Sequence, residues 1–200
     1  MGGVKVQEYF LNGHSREERR GKVESFSRFL RFKGKIEVYL FWTIVKSWVR
    51  KQMKQISIMK WLLEIEVDKT RAFYSKDIEL CDCLYCGNFM EACKHVNSPD
   101  MEIFTTLGIN PLKPSHLSEF GEIEDGLRLY IGSYHIVGKL VKGAYCTDSV
   151  WNDTNTVEVG DFTFGFDKDL MFVHDEFPSP VLQLRFEARI PWVLDRKPED

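Results

Sequence analysis

Leu182-Gln-Leu-Arg-Phe-Glu-Ala-Arg-Ile190 is the stretch that decides the fold class. Leu182, Leu184, Phe186, Ala188 and Ile190 alternate with Gln183, Arg185, Glu187 and Arg189, so the apolar side chains share one face of a β-strand and the polar ones the other. A strand patterned this way belongs to an antiparallel sheet with one face on a core. Working back along the chain, Val157 and Val159, then Phe162, Phe164 and Phe166, alternate across a phase shift at Gly160-Asp161, which predicts a β-bulge. Leu127–Ile131 and Tyr134–Val137 read as extended segments behind a hairpin-type turn at Glu124-Asp125-Gly126. Trp61, Leu63, Ile65 and Val67 alternate with Leu62, Glu64 and Glu66 as an earlier strand.

Between these strands the period changes. Asp68-Lys69-Thr70 opens a short helical stretch through Tyr74. Cys86, Phe89, Met90, Cys93 and Val96 fall at the spacing of one helical face, which predicts an amphipathic helix over 86–96. A third helix starts at Ser98 as N-cap, with Pro99 at its first position, and stops at Gly108. The expected fold is a single α+β domain in which a mostly antiparallel sheet packs with a short helical insert.

Charge divides the chain. Residues 1–60 hold 14 Lys and Arg against five Glu and no Asp, about +9, and residues 61–200 hold 13 against 25 acidic residues, about −12. The division predicts a basic N-terminal extension, 1–58, followed by the α+β domain, 59–200. The extension carries no clear alternation or capping signal, and Met59-Lys60 stands directly before the Trp61 strand. Translation from Met59 or Met53 is one expectation. A basic arm that binds membrane or nucleic acid through Arg28, Arg31, Lys33 and Lys35 is another. The most apolar run, Val38–Val45 continued by Ser47-Trp48-Val49, is shorter than the roughly 20 residues a spanning helix needs. The acidic remainder has no basic aromatic stripe, so nucleic acid is not an expected partner for 59–200. Neither a signal-peptide core nor a myristoylation pattern marks the N-terminus, and a cytoplasmic location is expected.

Cys81-Asp-Cys83-Leu-Tyr-Cys86, followed by Cys93 and His95, is the constellation that carries chemistry. Thiolates at this spacing can converge on zinc, with Cys93, His95 or Asp82 as a fourth ligand. Cys86 and Cys93 on one helix would be separated by about 10 Å, too far to share an ion. Both also sit on the apolar stripe, where a reduced cysteine behaves as a small hydrophobe. Three readings therefore stay open for Cys81, Cys83 and Cys86: structural thiols, a zinc site, or a redox or nucleophilic thiol. His95 lies about two and a half turns from Cys86, on the other side of the helix, and is a poor base for such a nucleophile.

Cys81-Asp-Cys-Leu-Tyr-Cys-Gly-Asn88, Leu107-Gly-Ile-Asn-Pro-Leu-Lys-Pro114, Phe177-Pro-Ser-Pro-Val-Leu-Gln-Leu184 and Ile190-Pro-Trp-Val-Leu194 together resemble a group of short bacterial proteins, mostly of Firmicutes type, that has no assigned activity. The resemblance covers about residues 59–195. It implies a bacterial, cytosolic protein and carries over no catalytic residue.

Elsewhere, His174-Asp175-Glu176 precedes a Pro-Ser-Pro loop and reads as exposed surface, and His135 reads as a satisfied sheet histidine. Glu122, Glu124 and Asp125 read as a solvated hairpin tip. The chain lacks a P-loop, a dinucleotide glycine fingerprint and a serine-hydrolase elbow. The expected function is a small cytosolic binding or accessory module, leaning away from an enzyme, with a zinc-binding or thiol protein built on Cys81, Cys83 and Cys86 as the alternative.

Overall fold

The computed structural model describes residues 53–96, 98–123 and 126–198, with the side chains of Ser98 and Pro99 left out. Most of the basic extension, the cap assigned to Ser98 and the turn residues Glu124 and Asp125 thus lie outside the described residues. What is described is a mostly antiparallel open sheet of seven strands with three helices, an α+β mix. The chain order is β1 (Lys54–Ile58), β2 (Trp61–Ile65), α1 (Val67–Tyr74), α2 (Leu84–Cys93), α3 (Ser98–Leu107), β3 (His116–Glu122), β4 (Leu127–Lys142), β5 (Thr156–Val159), β6 (Phe162–Asp167) and β7 (Val181–Pro191).

The sixteen-residue strand β4 organises the sheet. One edge pairs along its first half with β3 and along its last residues with β2, and the other edge pairs with β7 from Leu127↔Pro191 to Val137↔Val181. β6 and β5 continue outward from β7, and β1 closes the far end beside β2. Among the described residues the sheet therefore begins at Lys54, before the Met59 expected to open the domain, because Ile56 and Ile58 alternate in register with Leu63 and Trp61. Basic neighbours hide that short alternation in the sequence.

Gly160-Asp161 forms the turn of a β5–β6 hairpin rather than a bulge within one strand. Val159 pairs directly with Phe162, and Gly160 takes φ 55, a left-handed conformation that glycine adopts at little steric cost. A turn and a bulge both shift the alternation, so the phase alone does not distinguish them. α2 also begins two residues before the expected 86 and ends at Cys93, since Cys83 caps its first turn. Among the described residues no helix is long and apolar enough to cross a membrane.

The even-numbered residues of β4, β6 and β7 meet α2 and α3 in an aromatic core. Phe186 stacks on Phe89 of α2 at 5.5 Å and on Tyr134 at 5.2 Å, while Phe104 of α3 meets Tyr134, Phe162 and Phe164 edge to face. Such pairs add about 0.5–1.5 kcal/mol each beyond the area they bury. α1 is tied to β4 by polar contacts: the Thr70 hydroxyl accepts from the Val137 N–H, and the Tyr74 hydroxyl donates to the His135 carbonyl.

One buried group works against this fold. Asp100, in the first turn of α3, is fully buried, and its carboxylate oxygens make no hydrogen bond among the described residues. Burial first, then the charge of Asp161, push its carboxyl above the ordinary range. The N–H groups of Asp161 and of Asp100 itself approach without ordinary hydrogen-bond geometry and only partly oppose this. Because the folded carboxyl holds its proton more tightly than the unfolded one, stability falls as pH rises from the unfolded value through the folded one. Asp100→Asn is expected to be more stable than the parent at neutral pH and to lose that slope. Denaturant midpoints at mildly acidic and neutral pH check this, and an unchanged slope would contradict it.

Candidate functional site

The three cysteines singled out in the sequence converge. Cys81 lies in the irregular segment between α1 and α2, Cys83 is the N-cap of α2, and Cys86 lies in its first turn. Their sulfurs all lie within 4.8 Å of one another. Cys81 and Cys83 are exposed and Cys86 is buried. The Cys83 sulfur accepts from the Cys86 N–H at 3.5 Å, taking the place a serine or aspartate oxygen commonly occupies at a helix start. The positive end of the helix thus faces the cluster.

That setting separates the thiols. Burial works against ionising Cys83, but the Cys86 N–H, the thiols of Cys81 and Cys86 and the Tyr85 N–H outweigh it and lower its pKa. Cys86 is pushed up, first by burial and then by the hydrogen bonds and charges of Cys83 and Cys81.

α2 is fixed beneath the cluster by Asn88. Its amide donates to the Tyr130 hydroxyl at 3.1 Å and the Pro191 carbonyl at 3.2 Å, and its carbonyl accepts from the Val193 N–H at 2.8 Å. Tyr130 in turn donates to the Tyr85 carbonyl at 3.2 Å. The Arg128 guanidinium, paired with Glu119 at 2.6 Å, lies over the rings of Tyr85 and Trp192. Two segments far apart in the sequence, Cys81–Asn88 and Ile190–Leu194, therefore form one support. Paired polar groups and stacked rings hold the thiol turn in place.

A cavity of about 240 Å³ opens beside the cluster, lined by Cys81 and Cys86 together with Glu79, Met90, Ser115 and His116. The other residues weighed as ligands do not join the three sulfurs. Cys93 is buried in the core, where burial pushes its thiol up to about 12. His95 is exposed 3.9 Å from Glu91, and Asp82 is exposed and stands outside the close group. His135 is buried and meets Gln183 Oε1 at 3.2 Å, as a satisfied sheet histidine does. His174 sits on the surface, with Glu176 held by Lys76 at 2.7 Å.

A second, smaller cavity of about 90 Å³ was not legible in the sequence. It is lined by His116, Ser133, Asp167, Gln183 and Arg185, with Arg185 bridging Asp148 at 2.5 Å and Asp167 at 3.0 Å. The His116 ring stacks on Phe172 at 4.6 Å, and its Nε2 lies 3.2 Å from the Ser118 hydroxyl. Burial, followed by the Arg185 charge, lowers the His116 pKa and favours the neutral ring. The polar face of β7 reads as solvated in the sequence because the segment after β6 that covers it carries no pattern of its own.

No family model matches the chain, and no curated protein or solved structure matches it either.

Proposed function

We propose that this protein is a small cytosolic binding or accessory module, not an enzyme, whose site is a thiolate metal centre made by Cys81, Cys83 and Cys86, with zinc as the ion. The observation that carries this reading is the convergence of three sulfurs within 4.8 Å on a rigidly held helix start. In a tetrahedral site with Zn–S near 2.3 Å the sulfurs stand about 3.8 Å apart, so the cluster needs to close by about 1 Å at most. Soft thiolates favour zinc and other soft ions over magnesium or calcium. The reducing bacterial cytosol implied by the family resemblance keeps such thiols available.

Three protein ligands leave one position of a tetrahedral ion free. Two of the sulfurs are exposed and a cavity adjoins the cluster, so that position faces solvent and a small ligand can reach it. This arrangement suits binding and release of an ion, whereas a structural zinc is closed by four protein ligands.

Cobalt(II) in place of zinc tests the reading. The full chain is expected to bind about one equivalent and to show intense thiolate-to-cobalt charge-transfer absorption together with the visible bands of a tetrahedral ion. Cobalt that stays six-coordinate, without charge-transfer absorption, would overturn it.

A further inference from the structure

Cys83 and Cys86 form a Cys-x-x-Cys pair across the first turn of α2, one sulfur exposed and the other buried. Residues three apart on a helix are neighbours on its surface, and these two sulfurs lie within 4.8 Å. The Cys86 N–H holds the Cys83 sulfur over the helix end, beside its neighbour. A reagent from solvent thus meets Cys83 before Cys86, and the buried sulfur stands behind the point of attack.

We infer that Cys83 and Cys86 are a redox dithiol, oxidised by a peroxide at Cys83 and resolved by Cys86, and that closing the disulfide releases the metal. The last clause rests on the metal reading above, and the dithiol does not. In the first step the Cys83 thiolate attacks one peroxide oxygen. The O–O bond breaks, Cys83 becomes a sulfenic acid, and the departing hydroxide takes a proton and leaves as water. In the second step the Cys86 thiol gives up its proton as its sulfur attacks the Cys83 sulfur. An S–S bond forms, the S–O bond breaks, and the departing hydroxide takes that proton and leaves as a second water. Two electrons pass from the sulfur pair to the peroxide, so two thiols and one peroxide give one disulfide and two waters. Disulfide sulfurs carry no charge for a cation, and closure leaves Cys81 as the sole thiolate of the set.

The test is to expose the full chain, in chelator-treated and zinc-loaded forms, to hydrogen peroxide, block the remaining thiols, and map the bonds by fragmentation mass spectrometry. All three cysteines fall in one tryptic peptide, so Cys81→Ser and Cys86→Ser variants are run beside the parent. Expected are loss of two hydrogens per chain, a Cys83–Cys86 bond in the parent and in Cys81→Ser, and a sulfenic acid at Cys83 trapped by dimedone in Cys86→Ser. About one zinc should be released per disulfide formed. Thiols that persist, or that go only to sulfinic acid, would overturn the dithiol, as would pairing through Cys81. A chain that closes the disulfide but never bound zinc supports the dithiol and removes the metal reading. A chain that binds zinc but keeps its thiols under peroxide in both forms removes the dithiol and leaves the metal reading standing.

Discussion

Phe186→Ala is expected to lower the unfolding free energy by about 3–5 kcal/mol, the range for truncating a buried phenylalanine. The ring is fully buried at the crossing of β7 with α2, within 5.7 Å of the rings of Phe89, Tyr134 and Phe162. It also occupies the space over Gly132, where a Cβ would come within 2.6 Å of it. No neighbouring side chain is placed to fill the void, since Gly132 contributes none and the surrounding rings are locked against one another. Domains of this size are commonly stable by about 5–15 kcal/mol, so the loss is a large share of the total. Denaturant midpoints with an unchanged m-value would measure it. A loss under about 1 kcal/mol would mean that this core is not packed as described.

Cys83→Ser is expected to weaken zinc binding by more than about 100-fold, beyond the cost of disturbing residues that only support a ligand. A neutral hydroxyl replaces a thiolate, and the N-cap position tolerates serine, so the helix start survives the change. The variant should keep the parent's stability within about 0.5 kcal/mol in the absence of metal. Zinc competition against a chromophoric chelator reads the affinity, and urea denaturation reads the fold. Asn88→Ala serves as a contrast. It leaves all three sulfurs in place but strands the Val193 N–H and removes the tie to Pro191, so it should cost stability before it costs metal.

Much of the sheet was legible because its signals are local. β7 alternates without interruption over nine residues, and Phe162, Phe164 and Phe166 do the same in β6, so each strand declares its core face. The amphipathic stripe of α2 and the Gly108 stop after α3, where glycine takes φ 75, are equally local. What was missed depends on tertiary partners. β1 has two apolar residues within a basic neighbourhood and becomes a strand only by pairing with the adjacent β2. Gln183 and Arg185 look solvated until the segment after β6 folds over them.

The candidate site divides the same way. The Cys81, Cys83 and Cys86 spacing pointed to convergence, and the helical rise correctly removed Cys93 from the set. Asn88 went unremarked as an anchor because its partners lie about a hundred residues away. The cavity between α2 and β3 likewise needs the two elements side by side, and no spacing within either one announces it.

The most direct measurement is zinc content per chain, by elemental analysis of the protein purified without chelator or histidine tag, alongside a variant with Cys81, Cys83 and Cys86 all changed to Ser. About one zinc per chain in the parent and none in the variant is the expected result. An equally low content in both, with all five thiols titrating free on unfolding, would contradict a metal centre at these three cysteines.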